Sequence, residues 1–267
     1  MQVTVAKTAG FCFGVRRALE LTQKSAALSP TCTLGELIHN RQVVEELAGQ
    51  GVTVIERPED APAGTAVVIR SHGVGPQVYD TLRAQGSPVI DATCPFVKRI
   101  HQIAAEVPED GLLLLAGRRE HPEVQGILGY CRGQALVFSS AEEMQELLAF
   151  LPSDGNIPVI LAAQTTFSLR EWEKILFFAK KVCTNLKVFD TICRATIERQ
   201  SEAKQLAQSA DAIVVVGGLH SANTTALAAL CGSYCPTVQV ETADQLERHR
   251  EALRGVRFIG ITAGAST

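Results

Sequence analysis

The stretch DATCPFVKR, residues 91–99, places a cysteine where a predicted strand gives way to a predicted helix. The run before it, SPVI, is apolar and β-branched like a strand, and Pro95 suits the first position of a helix. Cys94 therefore lies at a strand-to-helix turn, where free N–H groups and the basic residues that follow favour a thiolate. One such cysteine is either a buried thiol or a ligand, and the choice depends on whether the chain repeats it.

The same turn occurs twice more. KVFDTICRATIERQ, residues 187–200, repeats the order strand, Asp, two residues, Cys and helix around Cys193, so that DATC and DTIC share the pattern D-x-x-C. Near the start of the chain, QVTVAKTAGFCFGVRRALEL runs strand, turn, Cys12 and helix. Each cysteine is followed 27 residues later by a histidine that comes after a strand and a Gly-containing turn: His39, His121 and His220.

A third repeated feature is a strand that leads into a turn of small and hydroxyl residues, in AVVIRSHGV, PVILAAQTTF and RFIGITAGAST. Strands alternate with helical patterns, which predicts small parallel sheets with right-handed crossovers. We therefore expect an α/β protein of three repeated small α/β units, with mostly parallel sheets: residues 13–93, residues 94–192, and residues 193–267 together with the N-terminal strand in 1–12. If these units surround a pseudo-three-fold axis, the three cysteines meet at its centre, because ligands of open α/β sheets lie beyond the carboxyl ends of the strands. SDGN at 153–156 is predicted to be a surface turn.

The composition excludes several classes of function. The chain has 267 residues and a formal net charge of −3, so no global basic field recruits nucleic acid or an acidic membrane. No run approaches 18 apolar residues, and the N-terminus lacks an apolar stretch of signal-peptide length. We expect a cytoplasmic protein whose eight cysteines are free thiols, metal ligands or catalytic groups, not a disulfide framework.

Three cysteines at equivalent positions of a repeat favour a shared metal site over three buried thiols. Cys12, Cys94 and Cys193 would suit a [4Fe–4S] cluster with one open iron, which acts as a Lewis acid toward a substrate oxygen. They would also suit a zinc ion whose fourth ligand is a histidine. Compact C-x-x-C spacing is absent, which weakens the zinc-finger alternative more than the cluster.

Polar residues at the predicted strand ends suit a small phosphorylated ligand. Imidazole, hydroxyl, amide and helix-start N–H groups all donate to phosphate oxygens, and these donors would come from His39, His72, His121, Thr165, Ser221, Asn223 and Ser266. Glu123 would be the only carboxylate in this group, and in a dry pocket its pKa would rise and make it a proton donor. A solvated acid in the first turn of a helix is the alternative for Glu123, and the sequence favours neither. The basic residues after the cysteines, Arg199 among them, are not assigned to the ligand.

Eight motifs, in this order, resemble the IspH/LytB family of 4-hydroxy-3-methylbut-2-enyl diphosphate reductases: AGFCFGVRRAL, LIHN, RSHGV, DATCP, HPEV, QTT, DTICRATIERQ and ITAGAS. The resemblance implies a trefoil of three α/β units around a central [4Fe–4S] cluster. It also implies the last step of the non-mevalonate isoprenoid pathway, in which an allylic diphosphate loses its hydroxyl by two-electron reduction to give isopentenyl and dimethylallyl diphosphate.

The resemblance also implies roles for individual residues. The cluster would be held by Cys12, Cys94 and Cys193, and its open iron would bind the substrate hydroxyl. The diphosphate would be held by His39, His72, His121, Ser221, Asn223 and Ser266. Glu123 and Thr165, with His121, would form the catalytic group that serves the proton relay, and ferredoxin or flavodoxin would supply the electrons. One departure is HSANT, where Ala222 replaces a serine and His220 would supply a donor instead.

Two other classes of function stay open. A non-catalytic iron–sulfur redox sensor predicts an intact set of cysteines with a damaged acid or anion site; Glu123 and Thr165 argue against it, and Ala222 argues weakly for it. A zinc-dependent hydrolase or lyase of a phosphorylated substrate predicts zinc, and no brown colour, in the purified protein.

Overall fold

The computed structural model describes residues 1–149, 157–183, 185–251 and 253–267. The predicted surface turn at 153–156 lies outside these ranges. Within them, twelve strands are found: β1 (Gln2–Val5), β2 (Thr31–Leu34), β3 (Thr53–Ile55), β4 (Ala66–Ile69), β5 (Val89–Asp91), β6 (Leu112–Ala116), β7 (Gln134–Phe138), β8 (Val159–Ala163), β9 (Leu186–Val188), β10 (Ala212–Val216), β11 (Thr237–Val240) and β12 (Phe258–Ala263).

The same ranges contain nine α-helices: α1 (Phe13–Ala26), α2 (Arg41–Gly49), α3 (Pro76–Ala84), α4 (Pro95–Ala105), α5 (Pro122–Leu128), α6 (Ala141–Leu148), α7 (Leu169–Val182), α8 (Arg194–Ser209) and α9 (Ala222–Gly232). Short 3-10 helices cover Pro58–Asp60 and Ala243–His249. Proline begins α3, α4 and α5, because its fixed φ suits the first helical position. Serine hydroxyls cap α6, α7 and α9 by accepting a main-chain N–H of the first turn.

The described strands form three sheets of four strands, and all their pairings are parallel. The orders are β3-β2-β4-β5, β7-β6-β8-β9 and β11-β10-β12-β1, so the three sheets share one topology. Strands β6 and β8, LLLLA and VILAA, are buried along their whole length, as parallel strands covered on both faces should be. The predicted α/β fold class with parallel sheets is confirmed.

The chain divides into two compact units. The first unit comprises Met1–Arg16, Ile38–Glu46 and Cys193–Thr267, and it holds the sheet of β1, β10, β11 and β12. The second unit comprises Arg17–Leu37 and Leu47–Ile192, and it holds the other two sheets. The boundaries of the three sequence repeats remain a prediction.

Turns at the carboxyl ends of the strands carry the residues that the sequence analysis singled out. In the second unit, β4 leads into Ser71 and His72, and the chain then reverses at Gly73 with φ +71°. A Cβ at Gly73 would lie 2.6 Å from Cε1 of His101, so only glycine fits this turn. Among the residues that the structure describes, no helix has the length and apolar character needed to cross a membrane.

Candidate active site

Each of the three predicted metal-binding cysteines directly precedes a helix. Cys94 and Cys193 are the N-cap residues of α4 and α8. The carbonyl of Cys12 accepts a hydrogen bond from the main-chain N–H of Arg16 at 3.0 Å, as the residue before a helix does. All three are half-buried, and none of them forms a disulfide.

In the first unit, a buried arginine lies near two of these cysteines. The guanidinium of Arg199, on α8, donates to the carbonyl oxygens of Ala263 at 2.8 Å and Gly10 at 2.9 Å. Burial lowers the pKa of Arg199, and the charges of Cys12 and Cys193 act in the opposite direction. Both cysteines therefore lie within electrostatic range of one buried cation.

In the second unit, main-chain hydrogen bonds fix the turn that carries Cys94. The N–H of Cys94 donates to the carbonyl of Ser71 at 3.0 Å, and the N–H of Thr93 donates to the carboxylate of Asp91 at 2.9 Å. Asp91 also pairs with Lys98 at 2.6 Å. Burial alone would raise the pKa of Asp91, but the bonds from Lys98 and Thr93 hold it below its ordinary value. The aspartate of DATC therefore supports the turn as an Asx motif.

The aspartate of DTIC has a different partner, although its sequence pattern is the same. Asp190 accepts a hydrogen bond from Nε1 of Trp172 at 2.9 Å. The next residue, Thr191, exchanges hydrogen bonds with the main chain of Ala163, donating at 2.6 Å and accepting at 2.8 Å. The repeat thus keeps the position of the cysteine and changes the contacts that hold its turn.

Glu123 is a buried acid in the second unit. Its side chain is 2% exposed, and its two oxygens accept hydrogen bonds from the N–H of Thr165 at 2.6 Å and the hydroxyl of Thr165 at 2.8 Å. Burial raises the pKa of Glu123 to about 7, although both bonds from Thr165 act to lower it. Of the two alternatives that the sequence left open, the solvated acid is therefore wrong.

Two histidines of the second unit lie beside each other near this acid. His121 caps α5, where its Nδ1 accepts the main-chain N–H of Glu123 at 3.1 Å. The ring of His72 meets that of His121 edge to face, with centroids 5.4 Å apart. His121 and Glu123, at the start of one helix, are thus brought together with Thr165 and His72 from distant parts of the sequence.

The first unit carries the remaining predicted ligands of the diphosphate. Asn40, next to His39, donates from its side chain to the carbonyl of Ser266 at 2.9 Å. Ser221 caps α9 by accepting the N–H of Thr224. Asn223 is 6% exposed, and its Nδ2 has no hydrogen-bond partner among the residues that the structure describes. This unit therefore offers a buried amide donor whose acceptor has to come from elsewhere.

Three residues of the HSANT motif, in the first unit, bear on its departure from the family pattern. His220 is exposed, and Ala222 is the first residue of α9 with a partly exposed side chain. Thr224, one turn into the helix, is fully buried, and its hydroxyl lacks a partner in the described part of the chain.

Comparison with known proteins assigns the chain to a family. A family model described as LytB protein matches residues 3–267. The chain belongs to the LytB family. One relative of this LytB chain is a protein of Caldanaerobacter subterraneus subsp. tengcongensis named 4-hydroxy-3-methylbut-2-enyl diphosphate reductase. The two sequences are 40% identical over an alignment of 277 positions, which covers all of this chain and 92% of the relative.

Two solved structures share the fold of this LytB chain over its whole length. One, the E-1-hydroxy-2-methyl-but-2-enyl-4-diphosphate reductase from Plasmodium falciparum, gives a TM-score of 0.92 at 26% identity and is covered over 84% of its length. The other is titled as (E)-4-hydroxy-3-methyl-but-2-enyl diphosphate reductase, the terminal enzyme of the non-mevalonate pathway. It gives a TM-score of 0.69 at 38% identity and is covered over 95% of its length.

Arg199 is the residue of this LytB chain whose position the sequence reasoning missed. The helical periodicity of α8 would have predicted that Arg199 is buried. The buried residues of this helix recur at spacings of three and four: Thr196, Arg199, Gln200, Ala203 and Ala207. An arginine on that face points toward the core, whereas Arg194 on the same helix is exposed and pairs with Glu198.

Proposed function

We propose that this protein reduces 4-hydroxy-3-methylbut-2-enyl diphosphate to isopentenyl diphosphate and dimethylallyl diphosphate, the last step of the non-mevalonate isoprenoid pathway. Relatives that match the whole chain carry the name of this reductase. The observation from the structure that best supports the proposal is the buried acid Glu123 beside Thr165, His121 and His72, because loss of a hydroxyl group needs a proton donor in a dry site.

The residues that would hold the cofactor are Cys12, Cys94 and Cys193. Their chemistry fits a [4Fe–4S] cluster: all three are half-buried cysteines at helix starts that form no disulfide, and two of them lie near the buried cation of Arg199. When bound, the cluster supplies single electrons, and an open iron is a Lewis acid for the hydroxyl oxygen of the substrate. Ferredoxin or flavodoxin would deliver the electrons one at a time.

The diphosphate would be bound by His39, His72, His121, Ser221, Asn223 and Ser266. The edge-to-face pair of His72 and His121 offers imidazole donors, and the unpartnered Nδ2 of Asn223 offers a buried amide. An unsatisfied buried donor is costly, and an anionic oxygen would remove that cost. Binding the diphosphate anchors one end of the substrate and so orients its hydroxyl for reaction.

Glu123 would supply the proton on which the reaction depends. The C–O bond of the allylic alcohol breaks, two electrons and two protons are consumed, and the hydroxyl leaves as water. With a pKa of about 7, a large fraction of Glu123 is protonated near neutral pH, so the group can give up a proton and then regain one. The hydroxyl of Thr165 donates to Glu123 and would relay protons between this acid and the substrate.

The experiment that tests the proposal begins with anaerobically purified protein. Iron, sulfide and zinc are assayed, a Mössbauer spectrum is taken with and without the allylic diphosphate, and products are followed with a chemical reductant. We expect about four irons per chain, one iron site that changes when substrate is added, and formation of both product isomers. Zinc in place of iron would favour the hydrolase, and a cluster indifferent to the substrate would favour the redox sensor.

A further inference from the structure

Arg199 is a cation buried without an acidic partner. Its side chain is 3% exposed, and both of its hydrogen bonds go to main-chain oxygens, those of Ala263 and Gly10. Among the residues that the structure describes, its Nε has no hydrogen-bond partner, and no carboxylate is hydrogen-bonded to the guanidinium. In the described part of the chain, Glu202 is the one carboxylate that acts on Arg199 electrostatically, and the oxygens of Glu202 accept hydrogen bonds from the main chain of Lys7 and Thr8. A buried charge of this kind is unfavourable unless an anion compensates it.

The two hydrogen bonds of Arg199 tie together the segments that hold Cys12. Gly10 lies two residues before Cys12, and Ala263 lies two residues before Ala265, whose carbonyl accepts the N–H of Cys12 at 3.0 Å. Arg199 is therefore a fork that joins the turn of Cys12 to the end of β12. Cys193 is the N-cap of the helix on which Arg199 lies, so one side chain is linked to the supports of two cysteines.

We propose that Arg199 is a positioning residue for the cluster site, whose buried charge favours the reduced cluster and whose fork fixes the turn of Cys12. The inference rests on the proposed function. A cluster held by three thiolates carries negative charge, and each electron that it accepts adds one more. A cation in a low-dielectric environment stabilises the more negative state, and so raises the reduction potential, far more than an exposed cation does.

Three variants separate the charge from the fork and from simple loss of a surface charge. Arg199→Gln removes the charge. Arg199→Lys keeps the charge but lacks the two-pronged geometry that reaches both carbonyls. Arg194→Gln is the matched control, because it removes a cation from the residue next to Cys193 whose side chain is exposed and screened by water.

The test is a redox titration of the reconstituted holoenzymes followed by electron paramagnetic resonance, together with the rate at which a chelator removes iron. For Arg199→Gln we expect the ratio of reduced to oxidised cluster, at the parent's midpoint, to fall at least about tenfold. The ratio for Arg194→Gln should stay within about twofold. For Arg199→Lys we expect a ratio close to the parent's and iron loss at least about threefold faster.

Titration of Arg199→Gln at the parent's potential would overturn the role of the charge. If Arg199→Gln takes up no iron, the test rests on Arg199→Lys. Iron loss from Arg199→Lys at the parent's rate would show that the two hydrogen bonds of Arg199 do not fix the turn of Cys12. A parent protein that binds no cluster would overturn both the proposed function and this inference. Suppose instead that the parent protein binds the cluster and turns over substrate, while all three variants match one another in midpoint potential and in rate of iron loss. That result would overturn only the inference about Arg199.

Discussion

Glu123 and Glu202 accept hydrogen bonds from the same two groups of a threonine, yet their acidities differ in direction. Glu123 is bound by the N–H and hydroxyl of Thr165 at 2.6 and 2.8 Å. Glu202 is bound by the N–H and hydroxyl of Thr8 at 2.8 and 2.6 Å, with a further bond from the N–H of Lys7 at 2.7 Å. The local pattern is nearly identical, so the difference has to come from the surroundings.

Burial is what separates the two acids. At Glu123, loss of water raises the pKa to about 7 in spite of the bonds from Thr165. At Glu202, which is only partly buried, the same effect is outweighed by the bonds from Thr8 and Lys7, and the pKa lies below its ordinary value. Hydrogen bonds alone would make both groups stronger acids, and it is desolvation that turns one of them into a proton donor for neutral pH.

The largest expected difference between the two acids is catalytic. Glu123→Gln should lower kcat about 10²- to 10⁴-fold, because an amide cannot donate the proton that the leaving hydroxyl needs. Glu202→Gln should leave kcat within about twofold, since that carboxylate supports a turn by accepting hydrogen bonds. Turnover is measured at equal iron content for both variants. Full activity in Glu123→Gln would show that the burial of this acid serves structure alone.

The second difference is in stability as a function of pH. The pKa of Glu123 in the folded protein, about 7, exceeds the ordinary value of 4.5, so the folded state holds this proton more tightly than the unfolded state. The stability that this contributes is present below pH 4.5 and is lost as pH rises through 7, by about 3 kcal/mol in all. Glu123→Gln should therefore flatten the free energy of unfolding between pH 5 and pH 8 in urea titrations.

Glu202 provides a control with the opposite sign. Its pKa is lowered in the folded state, so its contribution is present above the unfolded value and is lost as pH falls through the folded value. Because Glu202 is only partly buried, water screens its interactions, and the effect of Glu202→Gln should be below about 1 kcal/mol and confined to acid pH. A parallel effect of both substitutions at pH 8 would contradict the role given to burial.

A smaller effect should appear when the threonine hydroxyls are removed. Thr165→Val takes away one bond that lowers the pKa of Glu123, so this pKa should rise further and the alkaline fall of kcat/KM should move to higher pH. Thr8→Val should leave the pH profile of kcat/KM unchanged. An alkaline limb that stays in place in Thr165→Val would show that a group other than Glu123 is responsible for it.

The smallest expected effect concerns two glycines at α5, the helix that carries Glu123: Gly126 lies within the helix, and Gly129 directly follows its last residue. A Cβ at Gly129 would lie 2.9 Å from the Cα of Gly75, so α5 would have to shift, whereas a Cβ at Gly126 would lie 3.4 Å from Gly73, an ordinary contact. Gly129→Ala should therefore lower kcat/KM about threefold or more, and Gly126→Ala should stay within about twofold. Equal values for the two variants would show that the active site tolerates displacement of α5.

The repeat of Cys, His and strand-end turns was enough to predict three parallel sheets and the helix that follows each cysteine. Those features depend on local chemistry, such as Pro95 at a helix start and apolar runs such as LLLL in β6. The equivalence of DATC and DTIC held for the position of each cysteine and failed for the aspartates. Asp190 accepts a hydrogen bond from Trp172, which lies outside the D-x-x-C motif, so the motif alone does not predict this partner.

The properties that the sequence could not decide all depend on contacts between distant residues. In the sequence, Glu123 is an ordinary acid in the first turn of a helix. In the fold, Thr165, 42 residues later, donates a hydrogen bond to it, and its side chain is buried away from water. Arg199 looks like one more charge after a cysteine until Gly10, 189 residues away, supplies a carbonyl. Burial is a property of the packed chain, so acidity and charge compensation could be assigned only after packing was known.

The pairing of β1 with β12 has a consequence for the order of events during synthesis. Gln2 pairs with Phe258, so β1 waits for a partner made about 250 residues later. At synthesis rates of roughly 5–20 residues per second, that wait lasts on the order of 10 to 50 seconds. Through this time the main-chain N–H and C=O groups of Val3 and Val5 lack the strand that pairs with them. The turn of Cys12, tied to Ala265, takes its place only after residue 265 has been made, so metal loading would follow synthesis of that segment.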